Sequence, residues 1–237
     1  MQPSILLIET STQVCSVSLA AGTQIIASRQ TTQPKAHASL LAVFINDILQ
    51  ECGMRVGDCA AVAVSGGPGS YTGLRVGVST AKGLCFGASI PLLQVSSLEL
   101  IAQLFIDAGT SEDPWRIYPM IDARRMDVYT APFSVFTADG TGRIARMEGP
   151  VEALSITADR FMQDLEQGPV VFTGNGASKC RDIINHPNAV FAALESHANG
   201  MARAAMKAFL EKRFEDVAHY TPFYLKEFQA GRPKKDF

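Results

Sequence analysis

Two acidic residues stand at matching places in this chain, each closing a short apolar run. Glu9 follows Ile5 to Ile8 and leads into Thr10-Ser11-Thr12, while Asp122 follows Arg116 to Ile121 and leads into Ala123-Arg124-Arg125. Such carboxylates can pair across a cleft to hold a cation, or each can cap its own turn. Between them, Val64 to Arg75 reads Val-Ser-Gly-Gly-Pro-Gly-Ser-Tyr-Thr-Gly-Leu-Arg. Gly66, Gly67 and Gly69 allow backbone angles that other residues resist, Pro68 stiffens the bend, and Ser70 or Thr72 can cap the helix that follows. A helix that starts after such a turn can receive an anion. Glu9, Gly67, Gly69 and Asp122 are therefore the candidate cofactor-binding residues, set against turn-capping acids and a turn shaped for packing.

Known catalytic patterns fail at this turn. A Walker loop places Gly-Lys five residues after Gly69, where Leu74-Arg75 stands; a dinucleotide fingerprint needs glycine where Thr72 stands. A nucleophile elbow around Ser70 needs glycines at the positions of Pro68 and Thr72. The histidines are His37, His186, His197 and His219, without metal-ligand spacing. The cysteines Cys15, Cys52, Cys59, Cys85 and Cys180 are odd in number with no Cys-x-x-Cys pair, which fits buried small hydrophobes in a reducing compartment. No catalytic residue and no metal site is expected.

The elements that position these residues occur twice. Strands at Ile5 to Ile8, Cys15 to Ala20 and Gln24 to Arg29 precede a helix at Ala36 to Glu51, a strand at Ala61 to Val64 and the glycine turn. Strands at Arg116 to Ile121, Asp127 to Phe136 and Arg143 to Met147 precede a helical stretch at Ala153 to Glu166, a strand at Val170 to Thr173 and Gly174-Asn175-Gly176. Glu9 to Asp122 is an offset of 113 residues and Gly66 to Gly174 one of 108. A repeat of that length means two like-folded halves, each a mixed sheet with packed helices. The expected division is 1–106, 107–220 with a late helix at Glu195 to Phe214 that crosses back to the first half, and a basic tail at 221–237. The 104–113 stretch is read as the boundary between halves.

The 237 residues are 47% hydrophobic and 19% charged, with a formal net charge of −2, so a sizeable core is expected and unaided nucleic-acid binding is not. No stretch approaches the roughly 20 apolar residues of a membrane span. A soluble cytoplasmic protein, with no membrane partner, is expected.

The strand end Ile8 to Thr12, the turn-helix Gly66 to Arg75 and the segment Ile121 to Tyr129 together resemble the TsaB family, also called YeaZ, in order along nearly the whole chain. The resemblance implies a duplicated actin-like ATPase fold, related to ribonuclease H, and a part in forming N6-threonylcarbamoyladenosine in tRNA. It implies a non-catalytic scaffold that binds the catalytic subunit TsaD, helps recruit the ATPase TsaE, dimerises when alone, and meets tRNA only through the complex. ATP is then expected only within the complex. Nucleotide-binding members of the superfamily carry a glycine close behind the turn aspartate, and neither turn here does. TsaB-like chains usually carry aspartate where Glu9 stands. TsaD-like chains bind a metal through two histidines four apart on the first helix; here His37 is followed by Leu41.

The apolar residues of the two helices suggest where a partner docks. Leu41, Phe44, Ile45 and Ile48 form a stripe on the first, and Leu74, Gly77, Val78 and Ala81 on the second. Gly73, Gly77 and Gly83 each cost about 1 kcal/mol against alanine in a helix interior, a loss that close approach of another backbone would offset. Since TsaB-like proteins pair through these helices, the eight residues are the expected interface. The competing functions are an independent phosphotransferase of the same superfamily, which needs intact phosphate turns, and a peptidase, which needs a nucleophile.

Overall fold

The computed structural model describes residues 2–33, 36–109, 113–138 and 142–226. In the first half, β1 (Ser4–Glu9), β2 (Cys15–Ala21) and β3 (Gln24–Thr31) form an antiparallel meander, followed by α1 (His37–Glu51), β4 (Ala61–Ser65), α2 (Tyr71–Ala88), β5 (Leu92–Val95) and α3 (Ser97–Asp107). The second half contains β6 (Arg116–Asp122), β7 (Asp127–Thr130), β8 (Phe133–Ala138), β9 (Gly142–Met147), β10 (Glu152–Ser155), α4 (Met162–Leu165), β11 (Val170–Thr173), β12 (Ala189–Ala192) and α5 (Ala202–Leu210).

The duplication is plain in the strand order. The first sheet runs β3-β2-β1-β4-β5 and the second β10-β7-β6-β11-β12. In each, the first strand of the half pairs antiparallel with the next and parallel with the strand after the helical region. This is the duplicated α/β fold that the repeat predicts.

Period-two alternation decides which helix lies on which face. Leu6 and Ile8 of β1 point into a core completed by Leu41, Ile45 and Ile48 of α1 and Val78, Ala81 and Cys85 of α2. Their neighbours Ile5 and Leu7 point the other way, into a core that holds α3, α5, and Ile117, Ile121, Phe133 and Val171 of the second sheet. One continuous apolar core therefore joins the halves. A third cluster, around Met120, Phe161, Phe172 and Cys180, covers the far face of the second sheet.

Four expectations change. The strand read as Asp127 to Phe136 is two strands, divided at Ala131-Pro132; proline has no N–H for the ladder, and the pieces pair with different parts of β6. The strand at Arg143 to Met147 exists as β9 but pairs with β8, and the third position of the second sheet belongs to β10. The helix read from Ala153 to Glu166 is β10 followed by the single turn α4. Leu154, Ser155 and Ile156 alternate apolar and polar, which suits a strand. The late helix is a 3-10 turn at Ala198–Met201 leading into α5, which does pack back on the first half through Ala202, Ala205 and Met206.

Helix α3 runs to Asp107, into the 104–113 stretch. Its start is capped by Ser96, whose side chain accepts from the Leu98 amide. Of the tail read at 221–237, residues 221–226 are described; Arg232, Lys234 and Lys235 lie outside the described residues.

Candidate functional site

The turn after β1 is folded onto α2. Glu9, Thr10 and Ser11 are fully buried. Glu9 Oε1 accepts from the Ser11 amide at 2.7 Å and from Ser11 Oγ at 2.5 Å, while Oε2 has no hydrogen-bond partner among the described residues. Burial pushes the Glu9 carboxyl above its ordinary range, with the hydrogen bonds from Ser11 opposing the shift. Ser65 Oγ receives the Thr10 amide at 3.3 Å, and Thr12 Oγ1 lies 2.6 Å from Ser196 Oγ. His37 Nε2 lies 3.1 Å from the Thr12 carbonyl, so the one histidine on α1 ties that helix's start to the turn.

Gly73 and Gly77 of α2, with Gly69 just before the helix, face this turn. A methyl group at Gly69 would strike the Ser11 carbonyl, one at Gly73 the Thr10 carbonyl, and one at Gly77 Thr10 Oγ1. The close approach that offsets their helix cost is thus made inside the chain. Ser70 caps α2 by accepting from the Gly73 amide at 3.3 Å. The Gly67–Pro68 bond is cis, and Gly67 has φ +101°.

The other side of the glycine turn is covered by the segment after α5. The Phe223 amide donates to the Gly66 carbonyl at 2.8 Å. A methyl at Gly67 would strike the Phe223 carbonyl, and one at Gly66 would strike Gln94 and the Tyr220 hydroxyl. Lys82 of α2 donates to the carbonyls of Ala218 and Tyr220 at 3.0 and 3.1 Å. Tyr224 packs on Tyr71 with ring centroids 4.8 Å apart, and Lys226 reaches Asp127 of the second half at 2.5 Å. This strap closes over the turn and ends across the gap between the halves. Sequence reasoning missed it, because its ties to Gly66 and Lys82 run through backbone groups and leave no pattern in side-chain type.

Asp122 is in a different setting. Its Oδ1 accepts from the Arg124 amide at 2.8 Å and from Lys179 Nζ at 2.7 Å. Lys179 also donates to the carbonyls of Arg125 and Asp127. Glu9 is held among hydroxyls, whereas Asp122 is exposed beside a lysine. Among the described residues no cluster of histidine, cysteine or acidic side chains could hold a metal ion.

The eight residues expected at the interface mostly face inward. Leu41, Ile45, Ile48, Leu74, Gly77, Val78 and Ala81 are buried within the chain, and Phe44 is half-buried against the same core. The apolar stripe of a helix lying on a sheet faces that sheet. The outward faces carry Ala42 and Val43 on α1, and Ser79, Gly83, Phe86 and Gly87 on α2. Phe86 is 83% exposed and Val43 47%. Methyl groups built at Gly83 and Gly87 would meet no neighbouring atom of the described residues within 4 Å, so nothing among those residues offsets the helix cost of these two glycines.

The family model described as TsaD, tRNA N6-adenosine threonylcarbamoyltransferase, matches residues 24–230. The tRNA threonylcarbamoyladenosine biosynthesis protein TsaB of Bacillus subtilis is 30% identical over 96% of both chains. The protein of the same name from Escherichia coli is 31% identical, also over 96% of both. Among solved structures, YeaZ from Pseudomonas aeruginosa superposes with a TM-score of 0.80 at 27% identity, covering 94% of this chain and all of that one. No described helix is long and apolar enough to cross a membrane.

Proposed function

The chain belongs to the TsaB family, a branch of the group that the TsaD model describes, and so takes part in tRNA threonylcarbamoyladenosine synthesis; from that premise we propose that it is a non-catalytic subunit that docks TsaD through the outer faces of α1 and α2. The observation that carries the reading is Phe86, 83% exposed on α2 and flanked by Gly83 and Gly87 in open space. An exposed aromatic beside two side-chain-free positions suits a second helix laid close along α2. The rule that small residues four apart admit a neighbouring helix is best attested in membranes and is applied here by analogy. A second copy of the chain would meet the same face in the absence of TsaD, and recruitment of TsaE would follow assembly of the pair.

The absence of chemistry in the chain itself is also part of the reading. A nucleotide phosphate does not fit the β1 turn: Thr10 and Ser11 are pressed against Gly69, Gly73 and Gly77, and the two atoms there without a hydrogen-bond partner among the described residues, Glu9 Oε2 and Thr10 Oγ1, are buried. In the second turn, Lys179 already fills the carbonyl and carboxylate acceptors. Any ATP would then be bound by the assembled complex. His37 is spent on the Thr12 carbonyl, and its would-be partner position is the buried Leu41. These features also count against the phosphotransferase and peptidase alternatives.

The test is to replace Phe86 by Asp and measure affinity for purified TsaD, together with modified-nucleoside formation in a mixture with TsaD and TsaE. The exposed position leaves the fold intact. Affinity should fall at least about tenfold, the size of one lost anchor contact. Unchanged affinity with a native circular-dichroism spectrum would exclude this face.

A further inference from the structure

The turn between β6 and β7 has a backbone that its side chains do not explain. Arg124 and Arg125 are adjacent and both left-handed, with φ 68° and 52°. Elsewhere the chain mostly gives this conformation to glycine: Gly22, Gly53, Gly67, Gly109, Gly142 and Gly174 all have positive φ. Two consecutive arginines there carry strain that glycine would relieve.

Neither arginine repays that strain through contacts of its side chain. Among the described residues, neither guanidinium has a hydrogen-bond or ion-pair partner. The two carboxylates of the turn, which arginines would ordinarily engage, are taken by lysines: Asp122 by Lys179 at 2.7 Å and Asp127 by Lys226 at 2.5 Å. Four cations therefore surround two acids, in a chain whose formal net charge is −2. Both arginines are exposed, and Met126 beside them is 44% exposed. Free guanidinium forks on a rigid turn with a local positive surplus suit phosphate oxygens, which they grip two at a time.

We infer that Arg124 and Arg125 form a contact surface for the phosphodiester backbone of tRNA. The choice of a nucleic acid over an acidic protein rests on the tRNA pathway of the family, and it is independent of docking through α1 and α2. The lysines hold the turn rigid by neutralising its acids, and the arginines reach outward. With a net negative chain the affinity is modest, and it adds to that of the assembled complex.

The experiment uses the intact chain and an unmodified tRNA transcript, with binding followed by fluorescence anisotropy between about 50 and 200 mM salt. The double variant Arg124→Gly, Arg125→Gly should bind at least about tenfold more weakly. Its plot of log affinity against log salt should flatten by about 1.4–1.8, the value for two lost phosphate contacts. Its thermal midpoint should rise, because the strain is gone. A second variant, Arg124→Gln with Arg125→Gln, keeps the turn's bulk and should lose the same affinity without the gain in midpoint. Wild-type affinity and salt slope in both variants would overturn the inference, as would a wild-type chain that binds no tRNA at the lowest salt. If the variants lose TsaD instead of tRNA, the turn is a protein contact and the inference fails. Phe86→Asp, measured in parallel, reports on the docking face alone.

Discussion

Gly73 of α2 lies against the Thr10 carbonyl so closely that even a methyl side chain there would overlap it. The obstacle is backbone, which cannot rotate aside. Gly73→Ala should therefore destabilise the isolated chain by about 1–3 kcal/mol, the usual cost of overpacking, despite alanine's better helix propensity. Gly77→Ala meets Thr10 Oγ1 and should behave similarly. Urea unfolding checks both; a stabilised Gly73→Ala would show that the turn and helix are not in contact.

Gly83→Ala should act in the opposite sense. Nothing lies within 4 Å of the added methyl, so the free chain should gain about 1 kcal/mol from helix propensity. If a second helix lies along this face, the same change should weaken TsaD binding. Paired unfolding and affinity measurements test the two effects on one variant. A chain stabilised with its affinity unchanged would clear Gly83 of the interface.

Glu9 makes stability depend on pH. Its folded-state carboxyl is raised above the unfolded value of 4.5, chiefly by burial, so the folded state holds its proton more tightly. The stability this confers is whole below about pH 4.5 and is lost as pH rises through the folded value. Glu9→Gln removes the titration while keeping the shape. The variant should gain on wild type steadily from acid to neutral pH, as read by denaturant midpoints in matched buffers; a constant difference would mean Glu9 does not titrate on unfolding.

Lys82 is the strap's main tie to α2, through two carbonyls. Lys82→Met keeps the aliphatic stem and loses both bonds. Amide exchange at Tyr220 and Phe223 should quicken markedly, with little change in α3 or the central strands. Net hydrogen-bond contributions of about 1 kcal/mol each set the scale. Unaltered exchange would mean that Tyr71, Gly66 and Lys226 suffice to hold the segment.

How much of this could be read in the residues varies with the kind of signal. The offset between Glu9 and Asp122 revealed the duplication, because strands and their turns recur at domain spacing. The order of elements along the chain followed, except where Pro132 divided one strand, where Leu154 to Ile156 was read as helix, and where β5 and β12 went unread. Helix α3 was not read, although Glu99, Gln103 and Asp107 recur four apart as a narrow polar stripe in a mostly apolar run. Its capping pattern, Ser96 with Glu99 three residues on, was present in the sequence. The helix stripes were real, but a stripe records which side meets the sheet. Phe86 is a single large apolar residue between glycines on the outer face of α2 and has no periodicity to find. Of the three helix glycines read as needing a close neighbour, Gly73 and Gly77 find it in the chain's own first turn, while Gly83 meets nothing among the described residues.

Residues beyond α5 have one more effect. β5 is the last strand of its sheet, and Glu215 pairs with Leu92 on its open side, donating its amide to the Leu92 carbonyl at 2.9 Å. An uncovered rim of this kind invites strands of other molecules to add to it. A chain shortened before Arg213 would leave that rim bare, and it should precipitate during expression before any loss of tRNA modification could be scored.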